Sequence, residues 1–337
     1  MNAPAAHPIR WGLIGASDIA ETRMLPAMRR LGHEVVALAS GNADWAATYA
    51  NRNEIRVTGS VEDVLARDDI DAVYISSTNE HHRRQTELAA AAGKHVLCEK
   101  PLALSVEDGR AMVEACERAG VALGTNHHMP GSGIHRTIRQ LGADGAVGRI
   151  LAVRVFHAVM LPERLQGWRL GSTAGGGVTL DITCHDASVI NPLLGALPVD
   201  VVALATHQGP WEGTAEDAVM ATMRYADGAL VQTHDAFTVR YAPTGLHVIG
   251  SDGSILATNV MTQDPIGTVV LRDESGEREI EVSDRRDLYD ISVGGFAAAA
   301  RGESDRPVVT GLEGLQAAQL ALAVRQAAET GERVAIG

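Results

Sequence analysis

The segment His95-Val96-Leu97-Cys98-Glu99-Lys100-Pro101 runs a short apolar strand into a lysine followed by a proline. In an open parallel sheet, ligands bind outside the carboxyl ends of the strands, so a lysine at such an end faces the ligand crevice. Pro101 biases Lys100 toward extended geometry and stops the chain from coiling at once into helix. An ammonium held there can polarise a carbonyl or relay a proton. The plainer alternative is a solvated loop lysine after an ordinary strand. A second chemistry-bearing segment is Gly175-Gly176-Gly177-Val178-Thr179-Leu180-Asp181-Ile182-Thr183-Cys184-His185-Asp186. Its glycines let the backbone approach another group closely before a helix starts. Asp181 and His185 stand four residues apart, on one helix face. A carboxylate beside an imidazole orients it and raises its basicity, as a general acid–base group requires. The pair has two other readings. One is half of a metal site, against which stands the lack of an HxxxH pair or a compact third ligand. The other is a buried structural Asp–His bond.

These residues need elements to hold them. Up to about residue 125, short apolar runs (Arg10–Ile14, Glu34–Ser40, Ile55–Val57, Asp71–Ser76, His95–Cys98 and Val121–Gly124) alternate with helical stretches such as Asn79–Ala92 and Ser105–Ala119. Ser60-Val61-Glu62-Asp63 and Ser105-Val106-Glu107-Asp108 read as capping-box starts. This grammar predicts a doubly wound parallel sheet, an α/β dinucleotide-binding domain over 1–125. Beyond it, strand-like runs follow one another: Ile150–His157, Ala218–Tyr225, Ala229–Asp235, Leu246–Gly250, Ser254–Thr258 and Thr268–Leu271. Asp227-Gly228 and Ser251-Asp252-Gly253 supply hairpin turns. Helices are expected over Val178–Leu194, Leu288–Ala300 and Gly311–Thr330. The prediction for 126–337 is therefore an α+β, substrate-binding domain with a large, mostly antiparallel sheet.

The first strand leads into Gly15-Ala16-Ser17-Asp18-Ile19-Ala20, a GxGxxG-like turn that keeps only its first glycine. Gly15 permits the tight turn, Ala20 permits close helix packing, and Ser17 offers a hydroxyl to a phosphate oxygen. A plain βα turn is the alternative. The second strand ends Ala39-Ser40-Gly41-Asn42, with no carboxylate until Asp44. An NAD site usually carries a carboxylate there, which would repel a 2′-phosphate, so this ending favours NADP(H) with Ser40 and Gly41 as donors. Trp45 lies where a helix-borne contact falls, and Arg52 is a remoter candidate. Asn79 with His81-His82, and Asn126 with His127-His128, follow further strands on the ligand side. One histidine of each pair is expected to pack while its neighbour meets the crevice. Trp168-Arg169 can stack on or bond to a cofactor or sugar, and surface packing suits the Trp equally.

The chain has 337 residues, 45% of them apolar, and a formal net charge of −13. That suits two cored domains and argues against nucleic acid as a partner. No run reaches the ~18 unbroken apolar residues of a membrane span. Met1–Pro8 lacks the basic and apolar regions of a secretion signal. Cys98, Cys116 and Cys184 have no CxxC spacing and cannot all pair, so they read as reduced thiols in a cytoplasm.

Together these residues resemble the family of glucose–fructose oxidoreductases, inositol dehydrogenases and MocA-like proteins. The marks are Glu99-Lys100-Pro101 after the fifth strand, Asp181–His185 after the glycines at 175–177, and the N-terminal nucleotide-binding pattern. Further runs narrow the resemblance to the family's sugar ketone reductases: 11–17, 95–103, 124–128, 165–170, 181–183, 234–238 and 259–263. The resemblance implies NADPH-dependent reduction of the 2-keto group of 1,5-anhydro-D-fructose to 1,5-anhydro-D-mannitol. It implies cofactor contacts at Ala16, Ser17, Asp18, Ile19, Ser40, Gly41, Ser77, Thr78, Asn79, His82, Glu99, Lys100, Asn126, Trp168, Arg169 and Tyr289. His185 would be the acid, Lys100 would stabilise the oxyanion or relay the proton, and Asp181 would orient one of them and bond a sugar hydroxyl. Where such reductases carry an arginine suited to the 2′-phosphate, this chain has Trp45, which leaves the strictness of NADPH selection open. The other readings are an NAD(P)-dependent dehydrogenase of a cyclic polyol such as an inositol, and a cofactor-binding sensor without turnover. Self-association through the second sheet, which many members use, is a further expectation.

Overall fold

A computed structural model describes residues 7–171 and 175–336; the Met1–Pro8 reading thus falls mostly outside the described residues. By contacts the chain forms two compact units. The first comprises Met1–Ala103, Glu107–Asn126 and Tyr289–Leu312, and the second Leu104–Val106, His127–Leu288 and Glu313–Gly337.

In the first unit, β1 (Arg10–Ile14), β2 (Glu34–Ala39), β3 (Val57–Gly59), β4 (Ala72–Ile75), β5 (His95–Cys98) and β6 (Leu123–Thr125) form a parallel sheet in the order β3-β2-β1-β4-β5-β6. This is the doubly wound Rossmann order, whose direction of strand addition reverses between β1 and β4. β4 is buried throughout and β5 nearly so, as strands covered on both faces must be. The Ser60 capping box forms, with Asp63 as its reciprocal partner. Helix Leu288–Ala300 adds Tyr289 and Phe296 to the core of β1, β4 and β5, with the Trp11 and Phe296 rings 5.3 Å apart. Gly124 makes room for that helix, because a Cβ there would stand 2.9 Å from the Phe296 ring.

The second unit is built on a nine-stranded sheet: β7 (Ile150–Ala158), β8 (Asp200–Thr206), β9 (Ala218–Arg224), β10 (Leu230–Ala236), β11 (Gly245–Gly250), β12 (Gly253–Thr258), β13 (Thr268–Asp273), β14 (Gly276–Glu279) and β15 (Val334–Ala335). The order is β14-β13-β12-β11-β7-β10-β9-β8-β15. Every pairing is antiparallel except that of β7 with β10. Both predicted hairpin turns are present; at the first, Gly228 has φ +90° and the Asp227 carboxylate accepts from Ala229 N. One sheet face packs against Ile134 and Ile138 of helix Gly133–Ala143, Ile190 of helix Cys184–Leu194, and Leu320 and Val324 of helix Gly311–Thr330. The other face leaves Val202, Leu204, Met220 and Leu230 exposed.

Three differences from the sequence expectation stand out. Strands β8, β14 and β15 and helix Gly133–Ala143 were not expected. β3 lies two residues beyond its expected start, and β6 likewise. The helix expected over Val178–Leu194 opens as a π-helical segment, Thr179–Thr183, before becoming α-helical. Such local widening of the backbone ladder is frequent at functional sites.

Candidate active site

The predicted cofactor residues of the first unit gather at the carboxyl ends of its strands. Gly15 follows β1 with φ +112°, and a Cβ on it would stand 2.6 Å from Ser76 C and Ser77 N, beyond β4. Only glycine allows the β1 and β4 ends to approach this closely at the switch point. Ser40 and Gly41 follow β2, and a Cβ at Gly41 would meet open space. Ser77, Thr78 and Asn79 follow β4, Glu99 and Lys100 follow β5, and Asn126 follows β6. These residues fit a dinucleotide: a close backbone approach, a free path at Gly41, and strand ends opening on one edge of the sheet.

The Ser17 hydroxyl is used locally. It donates to Ser76 Oγ at 2.8 Å and accepts from Ala20 N at 3.2 Å. Two aromatics on helix Ala43–Arg52 hold the turn from outside: Trp45 Nε1 donates to Ala16 O at 3.2 Å, and Tyr49 OH donates to Ser17 O at 3.1 Å. Trp45 is 42% exposed, and the Arg52 guanidinium lies 5.5 Å from its ring centre while pairing with Glu21 at 2.5 Å. Asp18 O accepts from Thr22 Oγ1, and Ile19 precedes a π-helical segment, Ala20–Met24.

Behind Lys100 lies a buried polar network. Glu99 Oε1 accepts from Tyr74 OH at 2.5 Å and from Asn126 Nδ2 at 2.6 Å, and Glu99 Oε2 accepts from Lys100 N at 3.3 Å. Asn126 Oδ1 in turn accepts from Ser292 Oγ at 2.8 Å. Burial raises the Glu99 proton affinity, and the Asn126 and Tyr74 hydrogen bonds hold it back. Lys100 is half-buried, and the Lys100–Pro101 peptide is cis. His82 was expected on the ligand side, yet its ring is 0% exposed. Its Nδ1 lies 3.1 Å from Pro101 O and its Nε2 3.2 Å from Ser77 O. His82 thus stands between the β4 and β5 loops from inside, while His81 is exposed. Tyr289 is likewise buried in the core, with the Arg23 guanidinium 5.8 Å from its ring centre.

Asp181, His185, Trp168 and Arg169 belong to the second unit, whereas Lys100 belongs to the first. Gly176 and Gly177 stand against neighbouring groups at close range. A Cβ at Gly176 would meet the Gly171 and Trp168 carbonyls, and one at Gly177 (φ +93°) would meet the Glu216 carboxylate. That carboxylate accepts from Thr179 N at 3.3 Å, placing negative charge at the start of the Asp181 segment. Asp181, expected to orient Lys100 or His185, accepts from Arg169 Nε at 3.1 Å. Arg169 also lies over the Trp168 ring at 4.6 Å. His185 sits in a cluster of imidazoles: its Nδ1 is 3.4 Å from His127 Nδ1, and the His128 ring is edge-on at 4.9 Å. Both His127 and His128 are buried.

Sequence reading missed Tyr74, Ser292, Tyr49 and Glu216. The four-residue spacing of Trp45 and Tyr49 is a usable signal, since both must share a helix face. Tyr74 and Ser292 meet their partners only through the tertiary fold.

The fold and this strand-end site are those of a nucleotide-dependent oxidoreductase. The model of the oxidoreductase family with an NAD-binding Rossmann fold matches residues 9–127, and the family's C-terminal domain model matches residues 135–256. The chain belongs to the glucose–fructose oxidoreductase, inositol dehydrogenase and MocA family. It is 47% identical to a 1,5-anhydro-D-fructose reductase of Ensifer adhaerens over 97% of this chain and 98% of that one. It is 27% identical to a myo-inositol 2-dehydrogenase of Thermotoga maritima over 94% and 89% of the two chains. Among solved structures, the aldose-aldose oxidoreductase of Caulobacter crescentus complexed with glycerol is similar at a TM-score of 0.87 and 25% identity, covering 98% and 100%.

Proposed function

We propose that the protein reduces the 2-keto group of 1,5-anhydro-D-fructose to give 1,5-anhydro-D-mannitol, with NADPH as the reductant. The first unit is the dinucleotide-binding domain and the second the sugar-binding domain. The observation that carries the reading is the convergence of Gly15, Ser40, Ser77, Glu99 and Lys100 on the carboxyl ends of one parallel sheet. The substrate is supported by the 47% identity to the Ensifer reductase.

Bound NADPH would supply the hydride, through chemistry that belongs to the nicotinamide. The protein's part is to orient the ketone and manage charge. Lys100 stabilises the developing alkoxide, and His185 donates the proton that completes the alcohol. Asp181, held by Arg169, bonds a sugar hydroxyl. Glu99 keeps the Lys100 backbone in place, and His82 acts from inside on the loop that carries Ser77. NADPH is favoured over NADH because neither Ser40 nor Gly41 carries a charge that would repel a 2′-phosphate. A cyclic-polyol dehydrogenase using NAD is the second reading, favoured by the neutral Trp45, rather than a cation, standing beside the turn at Ala16.

No described helix is long and apolar enough to cross a membrane. None of the three cysteines forms a disulfide, which suits the cytoplasm. The open face of the second sheet, with Leu204 79% exposed and a cavity of about 390 Å³ beside Phe156, Met220 and Leu256, suits pairing with a second copy. The test of function is NADPH oxidation with 1,5-anhydro-D-fructose beside other 2-keto sugars and polyols; turnover of a polyol with NAD alone would overturn it.

A further inference from the structure

On the helix of His185 and the strand facing it, two carboxyl groups are fully buried. Asp186 stands one residue beyond His185 on the same helix, Asp235 stands on β10, and each is 0% exposed. Asp186 Oδ1 is 2.7 Å from Nδ1 of His157, whose position on β7 is in register with Asp235. Asp235 Oδ2 accepts from Thr183 Oγ1 at 2.5 Å. Among the described residues, the remaining oxygens, Asp186 Oδ2 and Asp235 Oδ1, have no other donor, yet the two carboxyl groups lie within hydrogen-bond reach of one another. Two acceptors cannot bond without a proton, and two like charges this close and this dry cannot both persist.

We propose that Asp186 and Asp235 hold a single proton between them, and that the pair fixes His157 with its Nδ1 proton turned to Asp186, next to His185. Asp186 and Asp235 are then positioning residues, and the site keeps one negative charge behind its imidazoles instead of two. The role toward His185 rests on the reading of His185 as the acid; the proton holding does not. The titratable groups around the pair are His157 on β7, His185 and Asp181 on its own helix, His127 and His128 before the helix at 133–143, and His135 on that helix. The His157 and His185 ring centres are 6.4 Å apart, close enough for the charge on one to affect the other.

Burial raises the proton affinity of both carboxyls, that of Asp186 to about 7. A group whose folded proton affinity is raised stabilises fully below its unfolded pKa, and that contribution is lost as pH rises through the folded value. The pair should therefore cost stability from about pH 4 upward through about pH 7.

Three variants of the full chain test this. Asp235→Asn replaces the protonated partner by a neutral isostere. It should keep the fold, flatten the fall of melting temperature with pH, and abolish a protonated-carboxyl stretch seen by infrared difference spectroscopy at neutral pH. Asp186→Asn should lower the protonation constant of His157, read from its imidazole nitrogen shifts, by about tenfold, and should also shift the titration of His185. His157→Gln should leave the infrared band and remove only the shift at His185. No protonated-carboxyl band in the wild type, or an unchanged pH slope in Asp235→Asn, overturns the shared proton. Unaltered His157 and His185 titrations in Asp186→Asn overturn the positioning role. None of these readouts needs substrate, so a failure of the proposed reaction is distinguishable from a failure of this inference.

Discussion

Replacing Tyr74 by phenylalanine removes one hydroxyl from the network that holds Lys100 and changes almost nothing else. Tyr74 is fully buried, and its hydroxyl donates to Glu99 Oε1 at 2.5 Å. Asn126 still donates to the same oxygen at 2.6 Å, so no acceptor is left bare. A hydrogen bond to an ionised group is worth about 1.5–3 kcal/mol, and one between neutral groups about 0.5–1.5 kcal/mol. With Asn126 still in place, the lower part of the charged range applies, about 2 kcal/mol, when Glu99 is ionised. The sign of the pH dependence follows. Burial raises the Glu99 proton affinity in the folded state, so its ionisation takes stability away as pH rises through the folded value. Losing Tyr74 raises that affinity further, so the penalty of Tyr74→Phe should be smaller, about 1 kcal/mol, where Glu99 is protonated and larger where it is not. Urea unfolding of wild type and variant over a pH series that spans the Glu99 titration reads the difference. An equal or greater loss at the acid end of that series would refute the account of Glu99 as a buried carboxylate held by donated hydrogen bonds.

Other outcomes follow from the same geometry. Lys100→Ala and His185→Ala should each lower kcat tenfold or more while NADPH still binds, checked by steady-state kinetics beside fluorescence titration of the cofactor; near-normal turnover in either variant removes its assigned role. Ser40→Asp should shift the ratio of kcat/KM for NADPH over NADH toward NADH by tenfold or more, because a carboxylate there repels the 2′-phosphate; an unchanged ratio places cofactor choice elsewhere. Leu204→Asp should convert a self-associated species to monomer on analytical ultracentrifugation, since it buries a charge in an apolar contact; an unaltered sedimentation profile rules out that face.

The parallel sheet was legible because strands buried on both faces read as short apolar runs, and because Gly, Ser and Asp residues mark the turns between them. Their ends were displaced where the apolar run and the hydrogen-bonded ladder part company, as at Val57–Gly59. β8 escaped notice because Val202 and Leu204 are apolar on the open face, which erases the alternation of a half-buried strand. β14 is Gly-Glu-Arg-Glu, wholly exposed, and carries no apolar signal at all. In the site, Lys100 and the Asp181–His185 spacing could be read from residue type and local order. The partners could not: Asp181 meets Arg169, Glu99 meets Tyr74, and Asp186 meets His157 through contacts that only the folded chain creates. The π-helical segment at Thr179–Thr183 was also hidden, because apolar spacing does not distinguish a widened turn from an ordinary one.

The central claim is a reaction, and the purified protein tests it directly. Mixed with NADPH and 1,5-anhydro-D-fructose, it should consume the cofactor and release 1,5-anhydro-D-mannitol in equal amounts, with kcat/KM well above that for myo-inositol and NAD. Equal or better turnover of myo-inositol with NAD, or bound NADPH with no carbonyl reduced, would contradict it.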